Sequence, residues 1–355
     1  MRILLLGDLS GVHKNLQNGL IRCGFIDTTL ASAGDGFKKI TSDIPLPKLE
    51  KFSSFNKISY RFKYIKFLLG VEGYDIVQIC DPFFLPFPLF PYEKILKNLK
   101  NNNGKIFLMA GGADSFYWMA GIQKLKYSPY EDHIKYDLQG FQPKQKSNKA
   151  FQFNKFIADN VNGIIPNSFE YQMAYSGHPN LRKLILQPIN IEKKSKIHYS
   201  KNKVSVLHGM SRYGLKGTRH IENAFKALIQ KYNEKAQFKI TNNLRFDEYI
   251  KVIENSDVIV DQCYSQSYGM NALYALSRNK VVLSGSEPEA LKAMKVKNCP
   301  VINIKPNKEN ISEVLSEIIS KKKLRTELKD CSLYYLNKYH DSKMIAEKYI
   351  KEWMK

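Results

Sequence analysis

The chain lacks the sequence features of a metal-binding, disulfide-bonded or dinucleotide-dependent protein. Its five cysteines are odd in number and widely scattered, at Cys23, Cys80, Cys263, Cys299 and Cys331. This usage favours free thiols in a reducing compartment, and no Cys/His group has metal-ligand spacing. The loop after the first predicted strand, residues 7–13, lacks the three-glycine spacing of a dinucleotide-binding motif. Neither a nicotinamide cofactor nor a bound metal is therefore expected.

Long apolar runs are also missing. Residues 1–7 carry one positive charge and only a short apolar run before Asp8, which predicts a first strand rather than a signal peptide. No run elsewhere reaches the roughly 18 apolar residues of a membrane-spanning helix. We therefore expect a cytoplasmic protein, either free or peripheral on the inner face of a membrane.

Acidic residues are scarce: 33 Asp and Glu stand against 55 Lys and Arg, for a formal net charge of +22. Nucleic acid, an anionic membrane surface or a polyanionic substrate would each explain this charge, and so would compositional drift towards lysine. The lysines are spread along the whole chain and no basic arm gathers them, which argues against nucleic acid as a partner.

The chain does contain a repeated alternation of short apolar strands and amphipathic helices. Its 355 residues are too many for one ordinary core, so two domains of about 150 to 200 residues are expected. A Lys-, Ser- and Asn-rich segment at 190–203 interrupts the alternation and predicts the domain boundary. The expected units are an acceptor-side domain over 1–195, a donor domain over 196–339 and a terminal helix over 340–355. The predicted fold class is α/β, with two Rossmann-like, doubly wound parallel sheets facing a cleft.

Residues 257–285 contain the clearest candidate for a ligand-facing turn. A buried strand at 258–260 leads through a polar loop to Gly269, and a short helix and another strand follow. A glycine before a helix lets a ligand approach the free N–H groups and the positive end of the helix dipole. The turn of Gly269, Met270 and Asn271 is therefore predicted to bind phosphate.

A cationic loop at 208–218 joins another strand to another helix. It contains Gly209, Arg212, Lys216 and Gly217. The carboxyl ends of parallel strands meet at one edge of a sheet, so both cations are expected to face the same cleft as Gly269. Because arginine supplies a planar fork and lysine a point charge, the pair would clamp a diphosphate from two sides.

Loops of the first half are expected to face this cleft from the other side. They contribute Gly11 and His13, then Gly112 and Asp114, and Asn167. All of them follow predicted strands, at the edge where open parallel sheets bind ligands.

Two further segments of the first half have distinctive composition. Residues 125–147 are polar and weakly periodic, which suggests an insertion or lid over the cleft. Residues 55–69 predict an amphipathic helix with a basic polar face. An ordinary surface helix is the simpler interpretation, and a helix resting on an anionic membrane is the alternative.

The element order and two motifs resemble the nucleotide-sugar glycosyltransferases of the GT-B fold, and most of all the retaining family four. The motifs are Arg212 with Lys216-Gly217-Thr218, and Tyr268-Gly269-Met270 followed by Ala275-Leu276 and Lys280-Val281-Val282. His340-Asp341 and the helix after them resemble the terminal segment that crosses back to the first domain in that fold.

The resemblance implies transfer of a sugar from a nucleoside diphosphate sugar to a hydroxyl acceptor, with retention and without a metal or other cofactor. The expected acceptor is a glycan or a lipid-linked precursor of a surface polysaccharide. The resemblance also implies catalytic roles for Arg212, Lys216 and Asp114. The donor would be held mainly by Gly209, Gly217, Asn242, Gln266, Tyr268, Gly269, Met270, Asn271 and Tyr274. The acceptor side would involve Gly11, His13, Gly112 and Asn167.

The chain departs from the family pattern at two positions of the second half and in one loop of the first half. Where the family has a pair of glutamates separated by seven residues, this chain has Gln266 and Tyr274. Gln266 retains a donor and an acceptor for sugar hydroxyls, whereas Tyr274 offers one hydroxyl. The histidine often found in the family's first-domain loop is also missing from residues 111–115, so Asp114, the backbone there or His13 would take its role.

The sequence leaves two alternatives to glycosyl transfer. A nucleotide-sugar 2-epimerase would need several acidic groups or histidines in the cleft, and the predicted loops are poor in both. A non-catalytic GT-B binding or assembly subunit would fit the absence of both glutamates.

Overall fold

The computed structural model describes residues 1–47, 54–84, 92–136, 144–191, 203–210 and 213–355. Within these ranges the chain forms two all-parallel β-sheets of six and five strands. Helices cover both faces of each sheet, as parallel strands require when both of their faces are apolar.

The first sheet has the strand order β3-β2-β1-β4-β5-β6, which is the order of a Rossmann sheet. Its strands are β1 (Ile3–Leu6), β2 (Thr28–Ser32), β3 (Ile44–Pro45), β4 (Ile76–Ile79), β5 (Lys105–Ala110) and β6 (Gly163–Pro166). The helices of this half are α1 (Val12–Arg22), α2 (Ser54–Leu69), α3 (Tyr92–Asn102), α4 (Ser115–Gln123), α5 (Glu131–Lys135), α6 (Asn148–Asp159) and α7 (Phe169–Ala174).

The second sheet has the order β11-β10-β9-β7-β8, the other common doubly wound arrangement. Its strands are β7 (Val204–Met210), β8 (Ala236–Asn242), β9 (Val258–Val260), β10 (Val281–Ser284) and β11 (Val301–Asn303). The helices are α8 (Thr218–Tyr232), α9 (Phe246–Glu254), α10 (Met270–Ser277), α11 (Pro288–Met294), α12 (Lys308–Ser320), α13 (Lys322–Tyr339) and α14 (Ser342–Trp353).

Alternate residues of each strand enter opposite faces of the sheet. In β1, Ile3 and Leu5 belong to one apolar cluster and Leu4 and Leu6 to another, and all four are fully buried. The cluster that holds Ile3 and Leu5 also contains Leu207 of β7. An apolar core therefore continues from the first sheet to the second.

Helix α14 follows the second domain in sequence but packs on the first. Trp353 is fully buried, and its Nε1 donates to Gln78 Oε1 at 3.0 Å. Lys105 Nζ donates to the Trp353 carbonyl at 3.1 Å, and Arg22 donates to Asp341 Oδ2 at 3.0 Å. These contacts place the terminal helix against α1, β4 and β5.

The strand predicted at 258–260 is β9, and the helix predicted over 55–69 is α2, which begins at Ser54. Strand β8 continues to Asn242, and α6 begins at Asn148, where the Ser147 hydroxyl accepts the Ala150 N–H at 3.1 Å. The predicted domain boundary at 195 lies outside the described residues. Across the described ranges, no helix combines the length and apolarity needed to span a membrane.

Candidate functional site

A cleft of about 340 Å³ lies between the carboxyl edges of the two sheets. Loops after β1, β2, β5 and β6 form one wall, and loops after β7, β8 and β9 form the other. The lining includes Ser10, Asp35, Lys38, Gly112, Tyr117, Asn167, Glu170, Tyr171, Gly209, Lys216, Thr241, Asn243, Tyr249, Asp261, Tyr268, Gly269, Met270, Asn271 and Tyr274. This is the edge at which open parallel sheets bind ligands.

Helix α10 begins at the wall of this cleft. The Leu273 N–H donates to the Gly269 carbonyl at 3.3 Å, so the N–H groups that precede it form the first turn, where the helix supplies no acceptor. Gly269 has an extended backbone (φ −119°, ψ −168°) that any residue adopts. A Cβ built on Gly269 would meet none of the described atoms within 4 Å. Neither the backbone conformation nor the packing requires glycine at this position. What glycine provides is open space in the cleft where a side chain would otherwise stand.

Lys216 lies in the same cleft, within a network centred on a buried carboxylate. Its Nζ donates to Asp261 Oδ1 at 2.8 Å and to the Gly209 carbonyl at 3.1 Å. Asn271 Nδ2 donates to the same Asp261 oxygen at 2.7 Å, and Tyr249 donates to Asn271 Oδ1 at 2.6 Å. Burial raises the pKa of Asp261, but Lys216 and Asn271 outweigh it and hold that pKa below its usual value. The network fixes Lys216 beside the first turn of α10.

A buried histidine, His208, stabilises the loop that carries Lys216 through two hydrogen bonds. His208 Nδ1 lies 2.8 Å from the Val260 carbonyl, so it is the protonated nitrogen, and Nε2 accepts from Thr218 Oγ1 at 3.0 Å. Burial, with Lys216 nearby, lowers the pKa of His208 to about 4 and keeps the ring neutral. Arg212, the second cation expected in the clamp, lies outside the described residues, and its role stays a prediction.

Two other residues predicted to bind the donor, Tyr268 and Asn242, do not present their polar groups to the cleft. Tyr268 lines the cleft, but its hydroxyl is not available to a ligand, because it bonds to the Tyr335 hydroxyl and, at 2.9 Å, to His340 Nε2. Asn242 ends β8 and is exposed outside the cleft lining, whereas Thr241 and Asn243 on either side line it. Asn242 belongs to β8, and because side chains alternate along a strand, it lies on the face opposite to Thr241.

The glycines at 209 and 217 have structural explanations. A Cβ on Gly209 would lie 2.2 Å from the Tyr249 hydroxyl oxygen. Gly217 has φ +71°, and a Cβ there would lie 2.2 Å from Cys263 Sγ. Both positions therefore shape the loop around Lys216, and Gly217 is not among the residues that line the cleft.

Gln266 and Tyr274 make contacts between the domains. The Gln266 Oε1 atom accepts from the Lys126 N–H at 2.8 Å, and Gln266 is outside the cleft lining. The Tyr274 hydroxyl donates to the Ser10 carbonyl at 3.0 Å and accepts from Asn15 Nδ2 at 3.0 Å. The two residues therefore join the walls of the cleft.

The predicted first-domain catalytic and acceptor groups, Asp114 and His13, lie behind the wall. Asp114 is fully buried and caps α4 by accepting from the Tyr117 N–H at 2.7 Å, and Tyr175 donates to its other oxygen at 2.6 Å. His13 is also fully buried, with Nδ1 2.7 Å from the Gly7 carbonyl and Nε2 3.2 Å from Gln78 Nε2. Neither side chain lines the cleft. Polar residues just after a strand also serve as helix caps and internal hydrogen-bond partners, and the two uses look alike in sequence.

The remaining acceptor-side predictions divide between the cleft and its support. Gly112 and Asn167 line the cleft, and Gly11 does not. A Cβ on Gly11 would lie 2.2 Å from the Tyr274 hydroxyl oxygen, so this position admits the domain contact described above.

Sequence reasoning missed several polar groups of the first wall. Lys38 Nζ donates to Ser10 Oγ at 2.7 Å, and the Ser10 N–H donates to Asp35 Oδ2 at 2.8 Å. Tyr117 and Tyr171 also line the cleft, and their ring centroids lie 4.9 Å apart. Asp35 and Lys38 follow β2 at the same edge of the sheet as Ser10, so the loop after this strand was an available signal.

The segment predicted to be a lid reaches the second domain. Pro129 and Tyr130 line the cleft, and Asp132 Oδ1 accepts from the Tyr264 hydroxyl at 2.6 Å. Lys126 Nζ lies 3.1 Å from Glu287 Oε2. Residues 137–143 of this segment lie outside the described residues. Within the described residues, no group of three or more His, Cys, Asp or Glu side chains is arranged to hold a metal ion.

Comparisons with known proteins find similar folds but no similar sequence family. No protein-family model and no curated protein matches the chain. HepE from Anabaena, solved with UDP and glucose, matches with a TM-score of 0.62 and 13% identity over 99% of each chain. Sucrose-phosphate synthase from Thermosynechococcus elongatus matches with a TM-score of 0.62 and 11% identity over 100% of this chain and 98% of its own.

A third similar structure is a TarM mutant from S. aureus, solved with fondaparinux, α-GlcNAc-glycerol and UDP. It matches with a TM-score of 0.58 and 12% identity over 83% of this chain. The match covers 59% of TarM, so this chain spans less than two thirds of TarM's length. Together with the two parallel sheets and the cleft between them, these matches show the GT-B fold that the sequence predicted.

Proposed function

We propose that this protein is a glycosyltransferase that moves a sugar from a nucleoside diphosphate sugar to a hydroxyl group of an acceptor, with retention at the anomeric carbon. UDP is the nucleotide in the HepE and TarM complexes, and it is the first candidate for the donor nucleotide here.

The main support for this proposal is the group of cationic and N–H donors on one wall of the cleft. The first turn of α10 and Lys216 converge on one wall of the cleft, and Gly269 leaves room beside them. A helix N-terminus and an ammonium group both favour a diphosphate, and a site held by packed elements needs little rearrangement to bind it.

In the proposed reaction, the bond between the anomeric carbon and the diphosphate oxygen breaks while the acceptor hydroxyl attacks from the face that the diphosphate leaves. The hydroxyl proton passes to the departing diphosphate oxygen. Lys216 and the amide groups of residues 270–272 stabilise the negative charge that develops there, which is electrostatic catalysis. Arg212 is proposed to add a second cation.

The first wall is proposed to hold the acceptor. Ser10, Asp35 and Lys38 offer hydroxyl, carboxylate and ammonium groups, and Tyr117 and Tyr171 offer aromatic faces. Such a mixture suits a sugar-bearing acceptor, whose hydroxyls require donors and acceptors and whose ring carbons pack on aromatic rings. A glycan or a lipid-linked saccharide is therefore proposed as the acceptor class.

The same lining argues against the epimerase alternative. Among the described residues of the cleft there is no histidine, and the carboxylates of Asp35, Glu170 and Asp261 all accept hydrogen bonds from protein groups. Proton transfer at a sugar carbon needs acids and bases that are free to exchange protons.

The experiment is a calorimetric titration with UDP and GDP, followed by incubation with a panel of their sugar conjugates and measurement of nucleotide release. We expect one nucleotide to bind and its sugar conjugate to be slowly hydrolysed. Failure of every nucleotide and conjugate to bind would overturn the donor-site proposal. Binding without hydrolysis or acceptor-dependent release would favour a non-catalytic subunit instead.

We also propose that α2 and α3 rest on an anionic membrane, where a lipid-linked acceptor would be found. On α2, Phe62 and Leu69 are 61% and 48% exposed. They share the helix surface with exposed Lys63 and Lys66. The adjoining α3, whose Asn98 donates to the Leu69 carbonyl at 3.0 Å, adds further exposed lysines at Lys94, Lys97 and Lys100. Apolar side chains among lysines suit the interface of an anionic bilayer.

Sedimentation with phosphatidylglycerol vesicles tests this surface. We expect binding at low salt that weakens as salt is added, and a loss of binding in Phe62→Ser with Lys66→Glu. Absence of binding at low salt, or equal binding to neutral vesicles, would contradict the membrane proposal.

A further inference from the structure

The first domain inserts a carboxylate into the loop that leads to α10. Glu170, in the first turn of α7, is 3% exposed. Its Oε1 accepts from the backbone N–H groups of Gln266 and Ser267 at 2.9 and 2.8 Å. The Ser265 hydroxyl lies 2.6 Å from the same oxygen. One carboxylate of the first domain therefore binds three consecutive residues of the second.

The second oxygen of Glu170 is also engaged. Oε2 accepts from Ser168 Oγ at 2.9 Å and from the Ser267 hydroxyl. An ionised carboxylate has about four acceptor positions, and these contacts occupy them. In this arrangement the group has no free lone pair with which to take a proton from a substrate or attack it. Its role is consequently to hold protein groups in place.

The loop that Glu170 holds leads directly to the ligand-facing helix terminus. Gly269 stands two residues beyond Ser267 and precedes the first turn of α10. The first domain adds one more contact to the loop, from the Lys126 N–H to Gln266 Oε1. The placement of the α10 terminus thus depends on groups that belong to the opposite domain.

Other carboxylates also cross between the domains, but away from the cleft. Asp132 accepts from Tyr264, and Glu287 accepts from Lys126 Nζ at 3.1 Å and from the Tyr127 hydroxyl at 3.3 Å. Asp132 and Glu287 do not line the cleft, whereas Glu170 does. Glu287 therefore provides a matched comparison: a buried carboxylate in the domain interface without contact through its side chain to residues 265–267.

We propose that Glu170 is a positioning residue that couples closure of the two domains to assembly of the nucleotide-binding turn at the start of α10. Separation of the domains withdraws the carboxylate from residues 265–267, and the turn is then no longer held in place. Naming the ligand as a nucleoside diphosphate rests on the proposed function, whereas the contact itself does not.

The test uses the full chain with Glu170→Ala, Glu170→Gln, Ser267→Ala and the control Glu287→Gln. Amide hydrogen exchange over residues 265–273 and calorimetric UDP affinity are measured for each. We expect Glu170→Ala to speed exchange and to weaken UDP binding, each by about tenfold or more. Glu170→Gln should be intermediate because its amide oxygen still accepts both backbone N–H groups.

The double variant Glu170→Ala with Ser267→Ala should be no worse than Glu170→Ala alone, because both changes break the same contact. Glu287→Gln should leave exchange at 265–273 and UDP affinity close to those of the unmodified protein. If Glu170→Ala does not fold, Glu170→Gln and Ser267→Ala carry the same comparison with smaller effects.

Unchanged exchange at 265–273 in the Glu170 and Ser267 variants would overturn the positioning role, whether or not UDP binds. Equal effects from Glu287→Gln would also overturn it, because they would indicate general loosening of the interface. If exchange rises in Glu170→Ala while no form of the protein binds UDP, the proposed function fails and the coupling between the domains stands.

Discussion

The carboxyl edges of the two sheets use their buried charges differently. At the second sheet, Asp261 is paired with Lys216, which is itself at the cleft surface, and the pKa of the carboxyl lies below its usual value despite burial. At the first sheet, burial raises the pKa of Asp8 to about 7 and that of Asp114 to about 6. Their hydrogen-bond donors include the backbone N–H groups of His13 and Tyr117.

This difference explains which sequence-based assignments reached the cleft. The second edge presents a cation and a helix terminus to a ligand, whereas the two titratable residues predicted for the first edge, Asp114 and His13, cap a helix and hold a loop behind the wall. A charged residue after a strand forms part of a ligand site when a partner of opposite charge holds it in place and its side chain still reaches the cleft, as for Lys216. Asp114 is instead buried behind the wall. Substitutions at each of the two edges test this contrast.

Lys216→Met should have the largest effect, because Lys216 serves both ligand and fold. Loss of one charge-assisted hydrogen bond of about 1.5 to 3 kcal/mol should weaken UDP binding by roughly 10- to 100-fold. The unpaired Asp261 should also destabilise the fold, by up to about 3 to 5 kcal/mol. The double variant Lys216→Met with Asp261→Asn should recover the melting temperature but not UDP affinity. Recovery of both would mean that Lys216 is only structural.

Gly269→Ala should separate binding from folding. Its Cβ would enter the cleft beside the α10 amides and weaken UDP binding by roughly tenfold, while the free energy of unfolding changes by less than about 0.5 kcal/mol. The matched control is Gly217→Ala, which should destabilise the fold because of its φ of +71° and the 2.2 Å approach to Cys263 Sγ. Calorimetry and denaturant unfolding measure the two effects. If Gly269→Ala binds UDP with normal affinity, the diphosphate does not bind at this turn.

Asp114→Asn addresses the opposite edge. Asparagine also caps helices, but it loses the charged acceptor of the Tyr175 hydroxyl, so we expect a lower melting temperature. Once a transfer assay is available, kcat/KM should stay within about threefold of the unmodified protein because the side chain does not reach the cleft. A loss of 100-fold or so in kcat at unchanged stability would restore a catalytic role for Asp114.

Asp8→Asn tests whether ionisation of the buried Asp8 carboxyl, which has no cationic partner like Lys216 among the described residues, lowers stability as pH rises. The folded-state pKa of Asp8, about 7, lies above its ordinary value of 3.8, so the contribution of this group to stability is lost as pH rises between those values. Asparagine stays neutral throughout. The melting temperature of the variant relative to the unmodified protein should therefore rise from pH 4.5 to pH 8. A difference that is constant with pH would show that Asp8 is ionised without cost.

The titration of buried histidines does not obscure this difference. Burial lowers the pKa of His13, His208 and His340 to about 4 each, so their protonation destabilises the fold as pH falls below about 6.5. Because all three are present in both proteins, their effect cancels when the two melting temperatures are subtracted.

Much of the fold could be predicted from the chain because its signals are local. Apolar β-branched strands, amphipathic helices and a glycine after a polar loop locate β9, α10 and β10 without reference to other segments. The direction of an individual side chain was less predictable. For Tyr268 it depends on Tyr335 and His340, which lie about 70 residues further along the chain.

The stretch from β9 to β10 contains both features that the sequence predicts and features that it does not. The sequence alone determined that a strand, a glycine turn and a helix terminus would lie at the edge of a parallel sheet, since periodicity and glycine placement are properties of neighbouring residues. That Asp261 holds Lys216, and that Glu170 of the other domain holds residues 265–267, follows from the packing of the folded chain. Contacts between residues 45 to 97 positions apart depend on how whole domains pack, and no local pattern records them.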